Sequence, residues 1–284
     1  MAISMTMRGT AQAPEPRATL EQRTLLSLKK RRRLTAGQVW TLRVASLVVV
    51  LGAWQLLVTF GVADELLVSK PSAIGAALFD YLVGGSIYVD ILATTVAALL
   101  GLTIGTVLGI AIGVVLAKTP IFYRAVSPYV TILNAMPRPA LAPIFLVWFG
   151  LGIESKVFVS MSIVVFILLL STIAGIEAVD PDIGNLASSL AISPWRRFVM
   201  IELPTSLPFI VAALRLASVY AVLGVIVTEM VASYQGLGQQ LVIATANFRM
   251  DRAFAVIFIA ACIAVLLSGI VSLLERWLRR RWYQ

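Results

Sequence analysis

Residues 89–117 have the sequence VDILATTVAALLGLTIGTVLGIAIGVVLA, which is 29 residues long and carries one charged side chain, Asp90. A helix needs roughly 20 apolar residues to cross about 30 Å of hydrocarbon, so this stretch predicts a membrane-spanning helix. Small residues recur every four positions: Ala93, Ala97, Gly101, Gly105, Gly109, Gly113 and Ala117. This spacing lets a second helix approach closely. We expect a packing seam, with a solute path as the alternative.

Five further stretches are long enough to span a membrane: 39–60, 121–150, 157–176, 209–231 and 253–274. Segment 121–150 is interrupted by four prolines and by Arg138, which predicts an irregular span. Apolar residues make up 60% of the 284 residues and charged residues 13%. Soluble domains have about half and a quarter, respectively. The sequence therefore predicts an all-α membrane protein with about six transmembrane helices.

The chain has a net charge of +9, and its positive residues are concentrated in particular loops. Lys and Arg collect before the first span and recur in every second loop, and such an excess marks the cytoplasmic side of a membrane protein. Both termini are therefore predicted to be cytoplasmic. Residues 1–38 are predicted to form a basic, partly disordered arm, and residues 39–284 the transmembrane domain. The run Lys29–Arg33 fits contact with anionic lipid, a specific ligand being the alternative, and no nucleic-acid partner is predicted.

The residue inventory argues against catalysis. The chain has a single cysteine, Cys262, and no histidine, which excludes an intrachain disulfide, a Cys/His zinc site and a histidine triad. It also lacks the G-x-x-x-x-G-K-[ST] phosphate loop. We predict no catalytic residue, no cofactor and no metal, and expect any ATP hydrolysis in a separate chain.

The loop at about residues 177–206 carries the most specific pattern in the chain. Asp180-Pro181 and Ser193-Pro194 each combine a helix-capping residue with proline at the first helical position. Two short helices are therefore predicted, with a bend around Leu190 to Ser193. A compact helical protrusion of this kind suits a groove on a cytoplasmic partner.

This loop resembles the EAA loop of binding-protein-dependent ABC importer permeases, whose pattern is E-A-A, three residues, G, nine residues and I-x-L-P. Asn185-Leu186-Ala187, Ala191 and Ile201-Glu202-Leu203-Pro204 occupy these positions. Asn185 stands where the family has glutamate, and Ala191 where it has glycine. Other segments between Ile91 and the C-terminus resemble the nitrate, sulfonate and taurine subfamily: Asn134–Pro137, Ala142–Ile144, Trp148–Gly152, Ser155-Lys156, Leu207-Pro208, Leu214–Ala217, Glu229 and Gly236–Gly238.

The resemblance implies a type I ABC importer (MetI-like) permease fold in the bacterial inner membrane. It also implies a homodimer that works with two ATPase subunits and an external solute-binding protein. The expected solute is a small anion; the alternatives are a neutral or aromatic vitamin precursor and, more remotely, a gradient-driven carrier acting alone. The coupling loop is expected to meet the ATPase through Asn185, Ala187, Leu190, Ala191, Ile192, Ser193, Pro194, Arg196 and Arg197. Within it, Leu190 and Ile192 are expected to fill a groove, and Arg196 and Arg197 to meet acidic groups at its rim.

Charged residues within the spans are functional candidates because a charge at membrane depth is costly unless paired or hydrated. Arg138 lies between two prolines, where it either attracts an anionic solute or bonds carbonyls that the prolines free. Glu229 lies near the outer end of the fifth span and is expected in a gate or at the docking surface for the binding protein, interfacial solvation being the alternative. Arg215 lies near the inner end and is expected to extend its charge to the membrane surface.

Overall fold

The computed structural model describes residues 35–282, and side chains only at residue 35 and residues 37–276. In this part of the chain all regular structure is helical. The predicted N-terminal arm lies outside the described residues except for its last four, so it stays a prediction. The chain divides into two compact units between residues 53 and 54, and all packing reported below lies within the second unit.

Twelve α-helices are described, joined by a 3₁₀ turn and a π turn. In chain order the α-helices are α1 (Ala36–Thr59), α2 (Glu65–Val68), α3 (Pro71–Gly84), α4 (Tyr88–Lys118), α5 (Pro120–Ala135), α6 (Ala142–Phe149), α7 (Ile153–Glu177), α8 (Pro181–Ser189), α9 (Pro194–Arg197), α10 (Leu203–Val231), α11 (Leu237–Ala246) and α12 (Met250–Trp282). The 3₁₀ turn is Arg138–Leu141, and the π turn is Phe198–Glu202.

Five of the described helices are long and apolar enough to cross a membrane: α1, α4, α7, α10 and α12. A sixth candidate span consists of α5 and the segment Arg138–Phe149, which are bent by 81° at the break between them. Proline explains the break, because Pro137 and Pro139 have no N–H to donate and the residue before a proline disfavours the helical region. The prediction of about six helices with an irregular third span is confirmed.

The core of the second unit is built on α4 and α7. The small-residue repeat of α4 includes four glycines, which we call the glycine ladder: Gly101, Gly105, Gly109 and Gly113. All four are buried against α7. A Cβ at Gly109 would lie 2.6 Å from the carbonyl oxygen of Val165, and one at Gly113 would lie 2.8 Å from the Cβ of Thr172. Real Cβ atoms do not approach that closely, so the helices touch only because these positions lack side chains. The packing seam is confirmed.

Helix α10 completes the core by packing against both α7 and α4. Val164 and Leu168 of α7 pack against Ala217 and Ala221 of α10, and all four are fully buried. The resulting three-helix layer of α4, α7 and α10 runs through the second unit. We call the end that carries the loop at residues 177–206 the inner end, and the opposite end the outer end, following the predicted orientation.

Candidate functional site

The predicted bend in the coupling loop is a Schellman motif at the end of α8. The N–H of Ile192 donates to the carbonyl of Ala187 at 3.1 Å, and the N–H of Ala191 donates to the carbonyl of Ser188 at 3.0 Å. Both bonds satisfy carbonyls that the end of a helix leaves without a partner. Ala191 adopts a φ of +50°, in the left-handed region that glycine occupies most readily. The family's glycine therefore has a conformational reason here, and alanine occupies the position under strain.

Large apolar side chains are exposed on this loop. Leu186, Leu190 and Trp195 have 59%, 65% and 74% of their surface exposed. Ile192, which was expected beside Leu190 in a partner's groove, is half-buried, and its place in that groove stays a prediction. The sequence reasoning missed Trp195; a tryptophan at the second position of a short predicted helix beside Arg196 and Arg197 was the available signal. The exposed apolar group suits contact with another protein.

A buried carboxylate ties the loop to the inner end of α4. Glu202 is 5% exposed and forms an ion pair with Lys118, the last residue of α4. The Nε of Arg197 lies 3.1 Å from Oε1 of Glu202, in the geometry of an ion pair without an aligned hydrogen bond. Arg197 was expected to meet acidic groups of a partner, but the acidic group it meets belongs to its own chain. Arg196 is exposed.

Asn185 is exposed. It lines a cavity of about 370 Å³ beside Glu202, together with Lys118, Asp180 and Arg197. The other predicted loop residues differ in exposure: Ala187 is buried inside α8, whereas Ser193 and Pro194 are exposed at the start of α9. The loop therefore presents Asn185, Leu190 and Arg196 outward, while Ala187, Ile192 and Arg197 hold it in shape.

Arg138 bonds the carbonyls that the break in the third span frees. Its Nη2 donates to the carbonyls of Leu133 and Asn134 at 3.2 Å each, and to Oδ1 of Asn134 at 3.1 Å. The carbonyl of Leu133 is the one that an N–H at Pro137 would otherwise have reached. The guanidinium also lies 4.4 Å from the ring centroid of Phe166, near the middle of α7, which places it at mid-depth. This geometry matches the expectation that Arg138 bonds carbonyls freed by the prolines. The expectation that it attracts an anionic solute stays a hypothesis.

Glu229 lies in a buried polar cluster at the outer end, so interfacial solvation and a place on a docking surface are both wrong, and a gate role stays a prediction. The residue is 1% exposed. Its carboxylate accepts hydrogen bonds from the hydroxyl of Thr94 at 2.9 and 3.0 Å, from Nζ of Lys156 at 3.1 Å and from the N–H of Gly238 at 2.9 Å. Lys156 also donates to the carbonyl of Gln235 at 2.6 Å. We call this set the outer lock; it joins α4, α7, α10 and α11.

Asp90 extends the outer lock from the first turn of α4. It accepts from the N–H of Gly236 at 2.7 Å and from Nε2 of Gln240 at 2.9 Å. Gly236 has a φ of +129°, and a methyl group added at Gly236 or Gly238 would collide with Glu229. The Gly-x-Gly pattern at 236–238 thus makes room for a buried carboxylate. Sequence reasoning did not single out Asp90 and Lys156 as site residues, because charge alone does not reveal a partner distant in sequence.

Arg215 forms an ion pair with Glu275 of α12. Both side chains are partly exposed, at 47% and 23%. Arg215 and Glu229 do not pair with each other, since each has another partner. Within the described residues, no group of three or more acidic or cysteine side chains is arranged to hold a metal ion.

Residues 105–283 match the family model described as "Binding-protein-dependent transport system inner membrane component". The match covers more than half of the chain. The chain belongs to this family. The resemblance inferred from the coupling loop is thereby confirmed, and the chain is a permease subunit of an ABC importer, a multi-pass protein of the bacterial inner membrane.

Two relatives illustrate the family. The permease is 33% identical over 235 residues to the riboflavin transport system permease protein RibX of Chloroflexus aurantiacus, which covers 83% of this chain and 88% of RibX. It is 28% identical over 249 residues to SsuC of Escherichia coli, a permease protein named for aliphatic sulfonates transport, which covers 86% of this chain and 95% of SsuC. Homologues of this kind support a transport role without catalysis in this chain.

The fold has a solved counterpart. The permease superposes on a chain of the inward-facing MetNI methionine ABC transporter with a TM-score of 0.56 and 17% identity, over 69% of this chain and 95% of that one. At this identity the likeness concerns the fold alone, and it confirms the predicted MetI-like architecture.

Proposed function

We propose that the permease works as one of two identical subunits that enclose a solute path, and that its loop at about residues 177–206 transmits ATP-driven motion from two separate ATPase subunits. An external solute-binding protein delivers the solute. The observation that carries the coupling role is the Schellman bend at Ala191, which presents exposed Leu186, Leu190 and Trp195 at the inner end.

The physical argument rests on how motion reaches the membrane. ATP-driven closure of a partner has to bias a two-state element through direct contact. The exposed apolar side chains of the loop supply such a contact surface. The ion pairs of Glu202 with Lys118 and Arg197 connect that surface to the inner end of α4. A displacement of the loop is therefore passed to a spanning helix through the ion pairs of one buried carboxylate.

The variant Ala191→Glu tests this coupling. It places a large charged side chain at the exposed bend without changing the hydrophobicity of any span. We expect normal amounts of the permease in the membrane, but loss of ATPase association and of uptake. Asn185→Glu is the matched control, because it adds the same carboxylate to the same loop at the position where the family carries glutamate, and it should be tolerated. Full ATPase binding and uptake in Ala191→Glu would contradict the coupling role.

The homodimer is tested by the composition of the purified complex. One permease chain carries one coupling loop, so a complex with two ATPase subunits needs two permease chains. Native mass measurement or cross-linking should find two copies of this chain. A second, different permease chain beside one copy would contradict the proposal, and ATP-independent uptake would favour the gradient-driven alternative.

We propose a small anion as the solute, supported by the mid-depth cation of Arg138 and by the relation to SsuC. The relation to RibX favours a second candidate, a neutral or aromatic vitamin precursor. Uptake of labelled ethanesulfonate and of riboflavin by the reconstituted importer with its binding protein separates the two. Uptake of riboflavin that ethanesulfonate does not inhibit would contradict the anion.

A further inference from the structure

Helix α5 and the turn after it carry polar residues at alternating spacings of three and four. At 100° per residue this spacing places them in one stripe along the helix. The residues of this polar stripe are Arg124, Ser127, Thr131, Asn134 and Arg138. The helix ends at Ala135, and Arg138 continues the stripe because its guanidinium reaches back to the side-chain oxygen of Asn134 at 3.1 Å.

The polar stripe occupies a side of α5 that its own chain covers only in part. A second side, with Tyr123, Val126 and Val130, packs against α4 and α7. A third side is apolar and exposed, with Ile132 at 64% and Leu133 at 49%. Within the stripe Arg124, Thr131 and Asn134 are exposed, whereas Ser127 and Arg138 are half-buried. The helix therefore has three different surroundings: its own chain, an apolar medium and a polar medium.

The depth of the stripe excludes lipid as its medium. The stripe begins one turn after the inner end of the span and reaches mid-depth at Arg138, which lies over the ring of Phe166. A guanidinium at mid-depth is costly in lipid, and non-helical backbone such as the turn at Arg138–Leu141 is tolerated there only against protein or water.

A dry contact with a second copy is also disfavoured. Residues 120–153 contain no Asp or Glu, so the stripe has cations at both ends and no acidic residue beside them in sequence. A two-fold interface sets the same patch of both subunits against each other, and like charges facing across a dry contact repel. If water separates the two subunits at this point, the cations of the stripe can instead attract an anion.

The hydroxyls of the stripe are placed to accept hydrogen bonds from water, and its two arginine side chains are the groups that favour an anion. The hydroxyls of Ser127 and Thr131 donate inward, to the carbonyls of Arg124 at 3.2 Å and Ser127 at 2.9 Å, which leaves oxygen lone pairs toward the open side. We propose that the polar stripe lines the inner half of a water-filled path for a solute with an anionic group. This inference rests on the proposed permease function and assigns one wall of the path.

Cysteine accessibility tests the assignment, since a thiol reacts with water-soluble reagents only where water reaches it. The parent is Cys262→Ser, which removes the single native cysteine. Thr131→Cys places a thiol on the stripe, and Ile132→Cys places one on the adjacent apolar side at nearly the same depth. Both are purified with the ATPase subunits and reconstituted in phosphatidylcholine and phosphatidylglycerol vesicles. The probes are an anionic sulfonatoethyl and a cationic trimethylammonioethyl methanethiosulfonate.

We expect Thr131→Cys to react at least about tenfold faster than Ile132→Cys and faster with the anionic probe. Adding Arg138→Gln should lower the anionic-to-cationic rate ratio about two- to tenfold, as expected for one charge about 10 Å away. If Thr131→Cys fails to assemble, Ser127→Cys replaces it. Equal rates at the two positions, or a Thr131→Cys disulfide between copies that blocks labelling, would overturn the path assignment. Failure of the parent to bind its ATPase would instead count against the proposed function itself.

Discussion

The buried pair of Lys156 and Glu229 permits a quantitative prediction for Lys156→Met. The lysine and glutamate side chains are 6% and 0% exposed, and their charged atoms lie 3.1 Å apart. Removing one partner of a buried pair costs about 3–5 kcal/mol, because the other charge stays buried without compensation. Glu229 keeps two other donors, Thr94 and the N–H of Gly238, which places the expected loss near ~3 kcal/mol.

The assay is thermal unfolding of the purified complex. At about 2–4 °C per kcal/mol for a unit of this size, Lys156→Met should lower the Tm by about 6–12 °C. Adding Glu229→Gln should restore most of that loss, since a neutral amide needs no counter-charge. Glu275→Gln is the matched control: it breaks the partly exposed pair with Arg215, worth about 0–1 kcal/mol. A Tm for Lys156→Met no lower than that of Glu275→Gln, or strictly additive losses in the double variant, would refute the reasoning.

Three further variants test other parts of the structure. Ala191→Gly should raise the Tm slightly, because relief of about 1–2 kcal/mol of left-handed strain exceeds the ~0.4–1 kcal/mol that glycine adds to unfolded-state entropy; an unchanged or lower Tm would contradict the strain. Gly109→Ala should weaken assembly, because the added Cβ would lie 2.6 Å from a backbone oxygen of α7. Gly269→Ala is the control and should not weaken it, because no atom lies within 4 Å of the added Cβ. Equal behaviour of the two variants in a size-exclusion assay would contradict the packing seam between α4 and α7. Arg138→Gln should lower the Tm because it releases the carbonyls of Leu133 and Asn134, and unchanged stability with normal uptake would remove Arg138 from both roles.

The spans were predictable because membrane insertion depends on local composition. The span predicted at residues 89–117 is observed as the helix Tyr88–Lys118. The prolines of segment 121–150 coincide with the observed break. The glycines from Gly101 to Gly113 also predicted the packing seam correctly, because small residues at one-turn spacing allow a second helix to pack closely. These features follow from neighbours in sequence, and the sequence contains them directly.

The outer lock was not predictable in the same way. Asp90, Thr94, Lys156 and Glu229 come from three helices, separated by as many as 139 residues. Each alone is an ordinary residue near a helix end, and only the packing of α4, α7 and α10 brings the four together. Arg197 illustrates the same limit, because its charge fits a partner's rim equally well until Glu202 is placed beside it.

Helices α4 and α10 are linked by buried polar contacts at both ends. At the outer end Thr94 donates to Glu229 at 2.9 Å, and at the inner end Lys118 pairs with Glu202, the residue before α10. Both carboxylates are at most 5% exposed, so a slide of one helix along the other by a turn would cost each of these buried charges one of its partners. The helices can therefore move together more readily than past each other. Glu202 also pairs with Arg197 of the coupling loop. If the loop couples to an ATPase as proposed, a push on it would therefore act on this helix pair as a unit, and its effect would reach the outer end without passing through the break at Arg138.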